Sequence, residues 1–324
     1  MTSTATATPD KTDRTLTLTR RTRWGEAVGE TLIKAVALVS IAAVALILLF
    51  VGKEALPVLT SAEVHKEVTI RGLFAPTAAG FVWQPVGDVP KYNVVPLIVG
   101  TLKVTLVSLF VAVPVSVAAA VYVAEFAGRR GREIIKPAIE LLAGIPSVVV
   151  GFFALVVLAS WIQTIFGTEH RLNALVGGVA LSFAIAPVVF SISEDALTSV
   201  PGSYRQAAIA LGATRSQVVL RVVLPAASPG IAAATVLGFG RAIGETMIVI
   251  LATGNAAMLD ASLGHSVRTI TATIAQELGE VVVGSAHYSV LFFLGASLFL
   301  STLAVNVLGE QIVGRMRRKL AGGK

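Results

Sequence analysis

No cysteine occurs among the 324 residues of the chain. That excludes disulfides, thiolate metal sites and cysteine nucleophiles, and it leaves the compartment open. Charge is scarce as well: 14% of residues are Asp, Glu, Lys or Arg, where a soluble domain carries about a quarter. The patterns of nucleotide and hydrolytic chemistry are also missing. There is no G-x(4)-G-K-[ST] loop to cradle the phosphates of ATP. There is no H-E-x-x-H or G-x-S-x-G, and no carboxylate pair is placed for acid–base work. The stretch "GFGRAIG" is spaced G-x-G-x(3)-G, and no strand precedes it, so it is not a dinucleotide fingerprint. These absences assign no catalytic residue and no metal ligand to the chain. If it moves a solute uphill, the energy comes from a partner or an ion gradient.

What is abundant is apolar. Hydrophobic residues make up 55% of the chain, and the mean hydropathy is +0.81. They fall in long charge-free blocks, each near the roughly 20 residues that a helix needs to cross a bilayer. Six blocks qualify: Ala35 to Val51, Pro96 to Ala124, Leu141 to Phe166, Leu172 to Ser193, Pro225 to beyond Met247, and Val281 to Leu308. Residues 1–30 are polar, Thr-rich at first and without apolar periodicity, and are expected to be a disordered tail. The first block lacks a small-residue cleavage site after it, so it reads as a retained anchor and not a signal peptide.

A formal charge of +7 would suit a nucleic-acid binder, but the basic residues have no aromatic interleaving and cluster beside the apolar blocks. Arg20, Arg21, Arg23 and Lys34 share one side with Arg129, Arg130, Arg132 and Lys136. The same side holds Arg205, Arg215 and Arg221, then Arg315, Arg317, Arg318 and Lys319. The positive-inside rule puts that side, both termini and a basic tail at 311–324 in the cytoplasm, and residues 53–95 outside as a long loop. The expected fold is thus an all-α polytopic membrane protein with six transmembrane helices. Lys103 reads as a snorkelling lysine, Trp161 as an interface anchor and His287 as an interfacial histidine.

The loop between spans four and five, "SEDALTSVPGSYRQAAIALGATRSQVVLRVVLPAASPG", carries two S/T-x-x-Q capping boxes, Ser203 with Gln206 and Thr214 with Gln217. They predict two short helices hinged at Gly212, a helix C′ residue, with Leu224-Pro225 marking entry into span five. A DNA-binding helix-turn-helix is unsuitable, because both ends are pinned by spans and only Arg205, Arg215 and Arg221 are basic. A partly apolar helical knob suits a groove on another protein.

Span five contains two charges, Arg241 and Glu245, four residues apart. On one helix they would share a face and could touch, about 24 Å along the axis from Pro225. Gly240-x-x-x-Gly244 offers close approach to another helix. A charge at mid-bilayer costs roughly 2.5–3.5 kcal/mol, so such residues face a path or a packed interface. Two readings are open: a self-neutralised structural pair, or an anion path in which the guanidinium presents its fork of donors to an oxyanion and the carboxylate holds it when the path is empty.

The segment Gln206-Ala207-Ala208, Gly212, Val222 and Leu224-Pro225 resembles the EAA loop of ABC importer permeases, E-A-A-x(3)-G-x(9)-I-x-L-P, with Gln for Glu and Val for Ile. The glutamine removes a charge that in that family can face the ATPase, and it keeps the capping role. "GTLKVTLVSLFVAVPVSVAAAVYVAEFA", "ELLAGIPSVVVGFF" and "GRAIGETMIV" are similar to the phosphate-specific branch. The long outer loop and "GIPSVVVG" resemble its PstC-type subunit more than its PstA-type partner. The resemblance implies a type I importer core over 96–310 and a bacterial inner-membrane location. It also implies coupling to the ATPase through Gln206, Ala207, Ala208, Gly212, Leu224 and Pro225, and phosphate transfer past Arg241 and Glu245. The implied partners are a PstA-type permease, two PstB-type ATPase subunits that bind the ATP and Mg, and a periplasmic or lipid-anchored PstS-type phosphate-binding protein. The chain itself would hold no cofactor. Alternatives are another oxyanion (molybdate or sulfate), the PstA-type position, or an ion-coupled secondary transporter, which would show internal repeats and more intramembrane acids.

Overall fold

Six helices long and apolar enough to cross a membrane are present among the described residues of the computed structural model, which are 24–76 and 80–320. The expected tail at residues 1–23 lies outside them. The chain divides into two compact units after Leu49. The first contributes the N-terminal part of helix α1 (Trp24–Ala55). This helix begins before the apolar block does, so residues 24–30 are helical where disorder was expected. Glu30 and Lys34 form an i,i+4 ion pair at 2.7 Å that favours the extension.

In the second unit, the described parts of the long segment before span two, 57–76 and 80–94, are folded. They form three short helices, α2 (Pro57–Thr60), α3 (Val64–Glu67) and α4 (Ile70–Phe74). A two-residue hairpin follows, β1 (Trp83–Gln84) antiparallel to β2 (Lys91–Tyr92). Its apolar residues Val58, Leu73, Trp83 and Val94 share a core with Leu97, Val290, Leu291 and Leu294, and burial of that surface is what orders it.

Span two is α5 (Val95–Val121), continued by a π-turn at Tyr122–Phe126. The expected third span divides. Its first residues belong to α6 (Arg129–Ala143), whose charges, among them Lys136 and Glu140, keep that helix off the bilayer core. Pro146 excludes the α conformation at Ile145 and ends the run. The span proper is α7 (Ser147–Phe153), a π-turn (Ala154–Leu158) and α8 (Ala159–Phe166), closed by Gly167 at φ +61°. Span four is α9 (Ala174–Thr198), capped by the Asn173 side chain, which accepts from the Val176 amide. It is the central helix: Val176, Ala180, Leu181, Ile185, Val189 and Leu197 are fully buried. At Gly178 a Cβ would sit 2.4 Å from Val107 of α5, so glycine is what allows these two helices their spacing.

After α9 come α10 (Gly202–Ala210) and α11 (Arg215–Val218), then a π-turn (Val219–Val223) running into α12 (Leu224–Gly244). α13 (Met247–Ala252) and α14 (Ile270–Glu277) lead to α15 (Ala286–Leu320), the sixth span, which extends helically through most of the expected basic tail.

Candidate functional site

The unit between spans four and five departs from expectation at its start. Ser203 lies inside α10, and the N-cap is Pro201 with no side-chain hydrogen bond, so the Ser203–Gln206 box does not form. Pro201 fixes the entry by its own φ and shifts the helix start one residue ahead of that box. The Thr214–Gln217 box does form, in both directions. Gly212 ends α10 at φ +80°. Its amide donates to Ile209 O at 2.9 Å and that of Ala213 donates to Ala208 O at 3.1 Å, a full Schellman pair. The second short helix is not separate from span five. The Leu224 amide reaches back to Val219 O across a π-turn, and the widened turn accommodates Pro225 without breaking the helix. Gln206, Ala207 and Gly212 are exposed, as are the larger apolar side chains of Tyr204, Ile209 and Leu211, the last at 89%.

Long-range polar contacts that no local pattern reveals hold this unit and the helices beside it in place. The Arg205 guanidinium donates to Glu125 at 2.6 Å and to Leu197 O at 2.9 Å. Arg215 donates to the carbonyl of Glu125 and stacks over Phe126. Lys136 of α6 meets the buried Glu194 of α9 at 2.8 Å, and this hydrogen bond pushes the lysine pKa above its usual value. α10 is therefore bolted to the ends of α5 and α9 while its outer side is bare.

The Arg241–Glu245 pair is corrected by the structure. α12 ends at Gly244, and Glu245 is extended (φ −70°, ψ 136°), so the two charges do not share a helix and form no ion pair. Glu245 instead accepts from the amides of Thr246 and Met247, both at 3.2 Å, at the start of α13, and its carbonyl accepts from the Thr271 hydroxyl. Each charge lies where its own half-helix dipole favours it, the cation at a C-terminus and the anion at an N-terminus. That removes the need for mutual pairing. Arg241 is exposed and makes no hydrogen bond or ion pair with any described residue.

The packing glycines are also displaced from expectation. A Cβ on Gly240 would come 3.3 Å from Asn306 Oδ1 of α15, whereas one on Gly244 would meet nothing within 4 Å. Close helix approach is made instead at Gly230 against Ala196 and Gly238 against Val189, the stripe facing α9.

At the opposite ends of the spans, Glu277 gathers three donors: Arg268 at 2.7 Å, His287 at 2.9 Å and the Trp83 indole at 3.1 Å. His287 is thus the partly buried partner of a carboxylate and is not unpaired. Tyr92 packs against both rings, and its hydroxyl pKa is pushed up to about 12 by burial, with Glu67 and Glu277 adding to it. Lys103 is more than a snorkelling lysine, since it donates to the carbonyls of Asp260 and Ser262 and ties down that loop. In the same loop the His265 pKa is raised and that of Asp260 lowered, chiefly by their mutual hydrogen bond. Among the described residues no group of three or more His, Asp or Glu is gathered to hold a metal ion.

A polytopic helical protein with a rigid, bare helical knob between two spans and a lone cation in a broken span is built as a membrane transport component. Residues 112–318 match the family described as "Binding-protein-dependent transport system inner membrane component", and the chain belongs to that family. It is 37% identical over 292 residues to a Bacillus subtilis protein described as "Probable ABC transporter permease protein YqgH", covering 88% of this chain and 91% of the relative. It is 36% identical over 259 residues to "Phosphate transport system permease protein PstC 1" of Mycobacterium tuberculosis, covering 73% and 76%. Among solved structures it is similar in fold to a chain of a bacterial alginate ABC transporter (TM-score 0.59, 17% identity, 92% of this chain and 99% of that one). A chain of the MetNI methionine ABC transporter is similar at TM-score 0.52 and 19% identity, covering 69% and 94%. The fold is that of the type I ABC importer permeases, and the chain is a multi-pass inner-membrane protein.

Proposed function

We propose that this chain is a permease subunit of an ATP-driven importer of inorganic phosphate, forming the translocation path with a second, PstA-type permease. Both termini and α10 face the cytoplasm, and the 57–92 segment faces outward. The chain is not an enzyme and holds no cofactor. ATP and Mg are bound by two PstB-type ATPase subunits, and phosphate is delivered by a PstS-type binding protein.

The observation that carries this reading is Arg241: an exposed guanidinium without a hydrogen-bond or ion-pair partner among the described residues, at the broken end of the helix that begins beside α10. Tyr204, Ile209 and Leu211 supply an apolar seat for a groove on the ATPase, next to Gln206, Ala207, Ala208 and Gly212. A push on that seat passes through Arg205 to Glu125 and the end of α9, and through Leu224 and Pro225 along the unbroken helix to Arg241. With no such partner among the described residues, the guanidinium offers all five of its donors to phosphate oxygens. Glu245 fixes the break that leaves Arg241 at a helix end. The likeness to phosphate permeases supports phosphate as the oxyanion.

Uptake of radiolabelled phosphate in a strain lacking the native permease tests this. Arg241→Ala is expected to cut uptake by at least tenfold, the worth of a hydrogen-bonded charge, with molybdate and sulfate failing to compete in the unmodified protein. Unchanged uptake in the variant, or competition by either anion, defeats the reading.

A further inference from the structure

Between α12 and α15 lies a groove of about 790 Å³, lined by Ala233, Val236 and Leu237 on one helix and Asn306, Glu310 and Arg317 on the other. We propose that Asn306 is a polar station on the anion path, next below Arg241, and that this groove is the leg of the path leading to the basic face. The proposal rests on the reading of Arg241 given above.

Three observations lead to it. First, Asn306 is the one carboxamide or charged side chain between His287 and Glu310, and its amide makes no hydrogen bond with any described residue. Its neighbours differ: the hydroxyls of Ser297, Ser301 and Thr302 each donate to a carbonyl one turn back, at 2.7, 2.7 and 3.0 Å. The carboxamide is exposed, and a polar side chain within an apolar span faces the bundle interior or a water-filled cavity. Second, Asn306 sits against the residue preceding Arg241: a Cβ on Gly240 would come 3.3 Å from Oδ1, so the carboxamide lies directly beside that turn of α12. Third, Ala233, Leu237 and Arg241 follow one another at i, i+4 and i+8, so Arg241 continues the groove's own lining stripe by one turn. On α15, Asn306, Glu310 and Arg317 form the matching stripe, about 16 Å long.

The chemistry is graded. An oxyanion leaves the full charge of Arg241 for the neutral N–H donors of Asn306. The Glu310 carboxylate, one turn nearer the rim, opposes any second tight site, and Arg317 lies at the exit.

Because this chain holds no cysteine, a single introduced thiol is its one thiol, and labelling is read on this chain after it is separated from its partners. In inside-out vesicles holding the assembled complex, Asn306→Cys is expected to react with an anionic methanethiosulfonate reagent at least tenfold faster than Leu308→Cys, on the opposite face at 57% exposure, and phosphate is expected to slow it. Asn306→Leu is expected to raise the KM for phosphate uptake by about tenfold, with Asn306→Gln recovering part of the loss. A thiol at 306 that stays unreactive while Arg241→Cys reacts overturns the proposal and spares the Arg241 path; silence at both overturns both. Protection by sulfate in place of phosphate supports the station and overturns the substrate. If the Cys variant fails to assemble, the Leu and Gln variants decide, and an unchanged KM for Asn306→Leu sinks the idea.

Discussion

Arg241 and Glu277 show two ways for a membrane protein to carry a charge. Glu277 is nearly buried and spends its two oxygens on Arg268, His287 and Trp83. Removing a carboxylate of that kind strands its donors. Glu277→Ala is therefore expected to destabilise the second unit by roughly 3 kcal/mol, with Glu277→Gln recovering part of it because one acceptor oxygen remains. Thermal unfolding of the purified complex in detergent checks this, with Arg241→Ala as the contrast: it breaks no hydrogen bond or ion pair among the described residues and should leave the midpoint unmoved. The two charges of span five were visible in the sequence, but their relation was not. A spacing of four implies contact only if the helix continues, and the continuation fails at Glu245, where the carboxylate finds backbone amides closer to hand.

Helix α10 and its Gly212 terminator illustrate what an element needs beyond propensity. The positive φ of Gly212 (+80°) closes the Schellman pair that turns the chain back toward span five. A β-branched side chain there is strained by roughly 1–2 kcal/mol. Gly212→Val is expected to loosen α10 and reduce copurification of the ATPase several-fold, while Gly212→Asn, which tolerates the left-handed region, retains it. Equal ATPase recovery in both would show that the turn does not set the coupling surface. The turn and the Thr214 box were legible because capping is local. The Ser203 box was equally legible and did not form, because Pro201 starts the helix one residue ahead of it. The π-turn before Pro225 had no clear sequence signal beyond the proline itself.

Across the second unit, the basic residues of α6, α10, α11 and the end of α15 lie at the opposite ends of the spans from the described parts of the 57–92 segment. If the basic end is cytoplasmic, a thiol introduced at Arg130 should be inaccessible to an impermeant reagent in intact cells and one at Val282, 77% exposed, should label. The reverse pattern would invert the orientation. The ends are joined by close packing around α9. A Cβ on its Gly177 or Gly178 would collide with Thr253, the residue after α13, or with Val107 of α5.

Apolar block length, loop charge and capping chemistry are properties of a few consecutive residues, and they alone determined six spans, an all-α membrane fold and the helical knob between spans four and five. The side-chain pairings were decided only in three dimensions: Arg205 with Glu125, Lys136 with Glu194, and Glu277 with Trp83, Arg268 and His287. So was the fate of Arg241 and Asn306, whose spacing in the chain says nothing of their neighbourhood. A side chain's partner is whatever the folded backbone brings within about 3 Å of it, and that distance depends on every helix packed between.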